Sequence, residues 1–245
     1  MIMDIGISMT GIFISALVMF VAMTVQGSLG IGGALIAVPI LVFLYPEFLP
    51  APLIINGAVI TLAVMIRERQ NIDWSKMRLI LVGALFGISC AGIVFGKVSS
   101  NTYAILIGVM VVIATAMCMR GWSIPISRKN SLAAGTLCGF MHATASLPGP
   151  PIMLLYRNEP AKIFRPTLAA YFFVTSIMSL VMLFYLGRLG NHEVQLGLAI
   201  LPGSILGYAL STAFIGHLQN RSLNTFILVF AAAGGCLLIL KGITS

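Results

Sequence analysis

Apolar residues run through this chain in long blocks, separated by short polar stretches or by clusters of glycine and proline. The blocks cover 5–28, 33–45, 51–66, 77–96 and 103–119, then 131–146, 149–157, 166–186, 194–214 and 223–241. The longer ones lack the two-residue alternation of a barrel strand, so each is predicted to be a helix. A bilayer offers no water to unpaired amides, and helices satisfy their own. The expected fold is an all-α polytopic membrane protein, a single transmembrane domain over 1–245. Pro52 and Pro166 suit the first turn of a helix, where no amide bond is lost. Trp74, Tyr103, Trp122, Tyr156 and Tyr185 lie near block ends, as interfacial aromatic side chains do.

Two blocks are too short to span. Residues 33–45 make a helix of roughly 20 Å and 149–157 one of roughly 14 Å, against a hydrocarbon core of about 30 Å. Each follows a break, Gly27 to Gly33 in one case and Ser146 to Gly149 in the other. A helix that restarts inside the membrane aims unpaired amides and a partial positive charge at whatever lies beyond its tip. Glycine lets a ligand approach the backbone, so such a tip binds an anion without lysine or arginine.

The two halves of the chain resemble each other. Gly83, Gly87 and Gly96 recur 120 residues later as Gly203, Gly207 and Gly216. An offset of 116 brings Gly30–Ala34 onto Ser146–Pro150 and Gln26 onto His142. This suggests repeat 1 at about 5–119, a linker at 120–130 and repeat 2 at about 131–241. If each half crosses the membrane an odd net number of times, the halves are inverted. Arg67, Arg69, Lys76, Arg78, Arg120, Arg128, Lys129, Arg157, Lys162, Arg165 and Arg221 then share one face, and only Lys97, Arg188 and Lys241 the other. The positive-inside rule favours that arrangement over a parallel one. Inverted repeats with interrupted helices near the midplane are a common plan of secondary transporters.

Composition narrows the chemistry. The chain is 59% hydrophobic and 8% charged, which excludes a soluble globular domain. Its net charge of +8 is spread between apolar blocks rather than gathered in a nucleic-acid patch. The amino-terminal segment has no basic n-region, so the first block is expected to be retained. The four cysteines fall inside apolar blocks, and the three histidines lack metal-ligand spacing. No cofactor or metal is expected. Residues 92–100, GIVFGKVSS, miss the Walker A spacing by one residue and carry Val98 where Ser or Thr belongs. His142 and Ser146 are one turn apart but lack the third group of a hydrolase.

No Asp, Glu, Lys or Arg lies deep in any block, so neutral donors must serve. Near the breaks these are Gln26, Ser28, His142, Thr144 and Ser146; on neighbouring helices they are Asn56, Tyr171, Thr175 and Ser176. The backbone candidates are Gly30, Gly32, Gly33 and Ala34 at the first break, and Gly149 with Pro150 at the second. His142 is the only one that titrates near neutrality, either as substrate ligand and proton carrier or as a plain interhelical hydrogen bonder. The Gly83/Gly87 and Gly203/Gly207 ridges are expected to pack the fourth helices, against each other or in a homo-oligomer. The expected function is alternating-access transport of a small anion, with the substrate and the lipid bilayer as partners. An anion channel or facilitator is the alternative, and a membrane enzyme or scaffold subunit a weaker one.

Gly27-Ser28-Leu29-Gly30-Ile31-Gly32-Gly33-Ala34, followed by Pro39, resembles the first glycine motif of the sulfite exporter TauE/SafE family. Ser146-Leu147-Pro148-Gly149-Pro150-Pro151 occupies the place of the second motif, and the resemblance extends over nearly the whole chain. It implies a permease of the bacterial inner membrane for small anions such as sulfite, organosulfonates or related carboxylates. Ala34 stands where a further glycine is frequent, and Ser146 and Pro148 replace expected glycines. Those departures imply a stiffer second turn and a differently shaped pocket.

Overall fold

The computed structural model describes residues 7–29, 33–95, 99–120, 123–147, 149–218 and 221–244. The helices are α1 (Met9–Leu29), α2 (Gly33–Leu44), α3 (Ala51–Arg67), α4 (Trp74–Phe95), α5 (Ser100–Arg120), α6 (Arg128–Ala145), α7 (Pro150–Tyr156), α8 (Ala161–Tyr185), α9 (Asn191–Leu218) and α10 (Arg221–Thr244). No strand occurs among the described residues. Six helices, α1, α4, α5, α8, α9 and α10, are long and apolar enough to cross a membrane. The chain is a multi-pass membrane protein. The two short helices restart where expected: α2 has 12 residues and α7 has 7.

Two expectations about the ends of the blocks are corrected. Pro166 does not open a helix; α8 begins at Ala161, and Pro166 lies inside it. As the sixth residue it has no N–H for the Lys162 carbonyl, so α8 gives up one backbone hydrogen bond there. Trp74 and Tyr185 are exposed at helix ends, as interfacial residues should be, but Tyr156 is fully buried and Tyr103 turns inward. Trp122 lies outside the described residues.

Glycines set the helix pairing. A methyl group added to Gly83 or Gly87 of α4 would overlap the carbonyl oxygens of Leu132 or Thr136 on α6. One added to Gly135 or Gly139 of α6 would overlap those of Ile80 or Ala84 on α4. The registers rise together, so the two helices are parallel. Gly203 and Gly207 of α9 lie in the same way against the carbonyls of Ala16 and Phe20, making α1 and α9 parallel too. The fourth helices therefore do not meet each other. Their ridges are filled by α6 and α1 of the same chain, which leaves these glycines no free face for a second copy.

The remaining large pairs run antiparallel. Gly108 of α5 meets the Gly235 carbonyl of α10, and Gly242 meets that of Asn101. In the α3–α8 pair, Ile54 packs in one cluster with Leu183, while Glu68 lies 3.8 Å from Arg165 at the other end. Charge divides along the same axis. Arg67, Glu68 and Arg165 gather at one end, together with Lys76, Asp73 and Glu159. Arg188 and Lys241 sit at the opposite end, against Phe95 and Phe43. Lys97 lies outside the described residues.

Replacing Gly87 or Gly207 by alanine should push two backbones apart and destabilise the fold by at least about 2 kcal/mol each. The check is thermal unfolding of the purified protein in detergent, where both variants melt below the wild type.

Candidate functional site

The break after α6 is shaped by its last residues. Ser146 takes up a left-handed conformation at φ 54°, and its N–H donates to the His142 carbonyl. Leu147 donates back to the Met141 carbonyl at 3.3 Å, closing the helix end. Glycine adopts that conformation most readily. Here Ser146 is held in it by its own Oγ, which donates to the Pro50 carbonyl at 3.0 Å. The turn ends α6 inside the bundle and sends the chain into α7.

Helical spacing places His142 and Ser146 on one face of the α6 end and Thr144 on the other. The two faces border different cavities. His142 and Ser146 line a cavity of about 80 Å³, together with Gln26 of α1, Ala34 of α2, Gly57 and Thr61 of α3, and Ser176 of α8. Met19, Met23, Leu53 and Phe172 supply much of the apolar wall, and no charged side chain lines it. The volume suits a few waters or one compact anion. His142 is 3% exposed. Its Nε2 lies 3.1 Å from Ser176 Oγ, and its Nδ1 is buried with no partner among the described residues.

The first break differs from the expectation of a bare amide tip. The Gly33 N–H donates to Gln26 Oε1 at 2.9 Å, so α1 caps the helix that restarts beside it. Gly33 also allows the chain to fold back, because a Cβ there would lie 2.7 Å from the Ala22 carbonyl. Gly30 and Gly32 lie outside the described residues. Gly149 and Pro150 begin α7 and are not part of the cavity lining. Among the described residues of the two breaks, Ala34 and the α6 end converge there.

Several candidates serve the framework instead. Ser28 Oγ donates to the Thr24 and Ser211 carbonyls, tying α1 to α9. Asn56 Nδ2 donates to the Pro52 and Gly197 carbonyls, and its Oδ1 accepts from Ser204 Oγ at 2.7 Å. Thr175 Oγ1 donates back to Tyr171 O, and Tyr171 packs in an apolar cluster with Cys138 and Tyr156. The residues that replace them, Gly57 and Thr61, sit one turn apart on α3. Gly57 had no side chain to mark it, and Thr61 was one more lone threonine in an apolar block.

Thr144 borders the second cavity, of about 420 Å³, at the end carrying Arg188 and Lys241. Tyr103 O–H donates to the Thr144 carbonyl at its inner edge. The α6 end thus forms a wall between a small neutral chamber and a larger vestibule.

Residues 15–238 match the family model for the sulfite exporter TauE/SafE. The chain belongs to the TauE/SafE family. No curated protein and no solved structure matched it. TauE/SafE membership, with six apolar helices of spanning length, makes the chain a membrane transporter by family.

Asn56→Ala should remove two buried hydrogen bonds between α3 and α9, with a third inside α3, and cost about 1–2 kcal/mol. Gly57→Ala should be neutral or slightly stabilising, since a Cβ there meets nothing within 4 Å. Thermal midpoints of the two purified variants, adjacent in sequence and opposite in effect, check the assignment.

Proposed function

We propose that the chain is a secondary transporter of small anions such as sulfite, organosulfonates or related carboxylates, which bind in the 80 Å³ chamber beside the α6 end. The observation that carries this reading is His142, buried at a helix break with an unpartnered Nδ1 in an uncharged cavity. The Gln26 amide N–H groups can turn toward an oxyanion, and so can one donor of the His142–Ser176 pair, either the imidazole Nδ1–H or the Ser176 hydroxyl according to tautomer. Neutral donors suit a cargo that must also leave: a fixed positive charge in the bilayer interior is expensive and would hold an anion too firmly. His142, able to change its protonation, is the candidate carrier of a coupling proton.

Alternating access is supported by the way the halves meet. Exchanging α1–α5 for α6–α10 carries the pairs α1–α9 and α4–α6 into each other, and returns α3–α8 and α5–α10 to themselves. The self-paired helices run antiparallel, the relation expected of two inverted repeats. Each end of the chamber also has its own ties. Tyr103 to Thr144 and Ser146 to Pro50 hold the vestibule end. At the other end Arg165 lies 3.8 Å from Glu68, and Arg67 donates to Tyr208 Oη at 3.5 Å, so both contacts cross between the halves. Rocking one half against the other breaks one set while the other stays closed.

Proteoliposomes containing the protein should take up radiolabelled sulfite saturably and show counterflow. Gly57→Leu should abolish that flux without lowering the thermal midpoint, because its side chain fills the chamber. His142→Gln should remove the pH dependence of uptake. Flux that never saturates and shows no counterflow would instead indicate a channel, and no flux with any small anion would defeat the reading.

A further inference from the structure

The vestibule on the Thr144 side of the α6 end has its own chemistry. Its polar lining includes Arg188, Lys241, Asn101, Tyr103 and Thr144. Neither Glu47 nor Glu193, which lie toward the same end, is part of it. Arg188 donates to the Phe95 carbonyl at 3.2 Å, with its guanidinium 5.2 Å from the centre of that ring. Lys241 donates to the Phe43 carbonyl at 3.2 Å and lies 4.9 Å from the Phe43 ring centre.

Both cations are thus positioned without being neutralised. Among the described residues neither forms an ion pair, whereas Arg67, Lys76 and Arg165 at the opposite end all have carboxylate partners. A carbonyl and a ring face use few of the donors of a guanidinium or an ammonium. Two such groups on one cavity of about 420 Å³, with no acid in its lining, form an anion receptor rather than a salt-bridge network. Both side chains are exposed at the end of the bundle, where their combined positive field can gather anions from solution.

We propose that this vestibule is a second anion site, which holds a compact oxyanion or sulfonate between Arg188 and Lys241, across the α6 end from the central chamber. It goes beyond the transport reading: the chamber is neutral and releases its cargo, while the vestibule gathers anions by charge. An anionic lipid headgroup offers the same oxygens, and the test separates the two sources.

The measurement is equilibrium binding of radiolabelled sulfite to the Gly57→Leu protein in phosphatidylcholine nanodiscs. With the chamber filled, bound anion reports the vestibule. Affinity should fall as salt rises, and Arg188→Gln/Lys241→Gln should weaken it by about tenfold or more and flatten the salt dependence. Lys241→Arg should retain it. If the double variant does not fold, as judged by its thermal midpoint, Lys241→Gln alone must weaken binding. Unchanged affinity in the charge-removing variants, or no sulfite bound at all, would overturn the proposal. So would binding abolished by phosphatidylglycerol but indifferent to competing sulfate. Each of these outcomes stands apart from flux through the wild-type chamber.

Discussion

Lipid tails are as apolar as leucine, so the pairs α4–α6 and α1–α9 cannot rely on the hydrophobic effect that holds helices together in water. What joins them is close approach: glycines on α4, α6 and α9 let one backbone lie directly on the carbonyls of the next. These pairs fix α1 and α6, and those two helices carry the break residues. Gln26 reaches Gly33 because α1 is held, and His142 reaches Ser176 because α6 is held. The chamber is a consequence of the glycine contacts.

The α6 end then divides the interior by the geometry of a single turn. His142 and Ser146 face the chamber while Thr144 faces the vestibule, and three ties keep that wall in place: to Ser176, to Pro50 and to Tyr103. The division follows dielectric. Deep in the bundle the polar groups are neutral, because an unpaired charge there is costly. Arg188 and Lys241, at the end of the bundle, are exposed and rest their charged heads against the faces of aromatic rings.

Much of this was legible in order along the chain. The blocks became helices within a few residues of their expected limits, and the short restarts after Gly33 and Gly149 stand where glycine and proline interrupt the apolar pattern. His142, Ser146, Gln26 and Ala34 do meet at one cavity. Other polar residues named from the sequence lie outside that lining. A lone Asn, Ser or Thr in an apolar helix reads the same whether it meets a ligand or a neighbouring carbonyl, and Asn56 and Ser28 meet carbonyls. Gly57, which does line the chamber, has no side chain to announce itself.

The sequence by itself determined the local matters: which stretches are helical, where they break, that the chain lives in a membrane, and that its interior is uncharged. Those follow from apolar runs, from backbone rules for glycine and proline, and from the cost of burying charge. Only the tertiary structure decided which candidates share a cavity. It gave the Gly33 amide to Gln26, filled the Gly83 and Gly203 ridges from within the chain, and set Arg188 and Lys241 on one vestibule though 53 residues separate them. Such pairings depend on which helix faces lie together, and facing is a property of packing between distant segments that no single helix encodes.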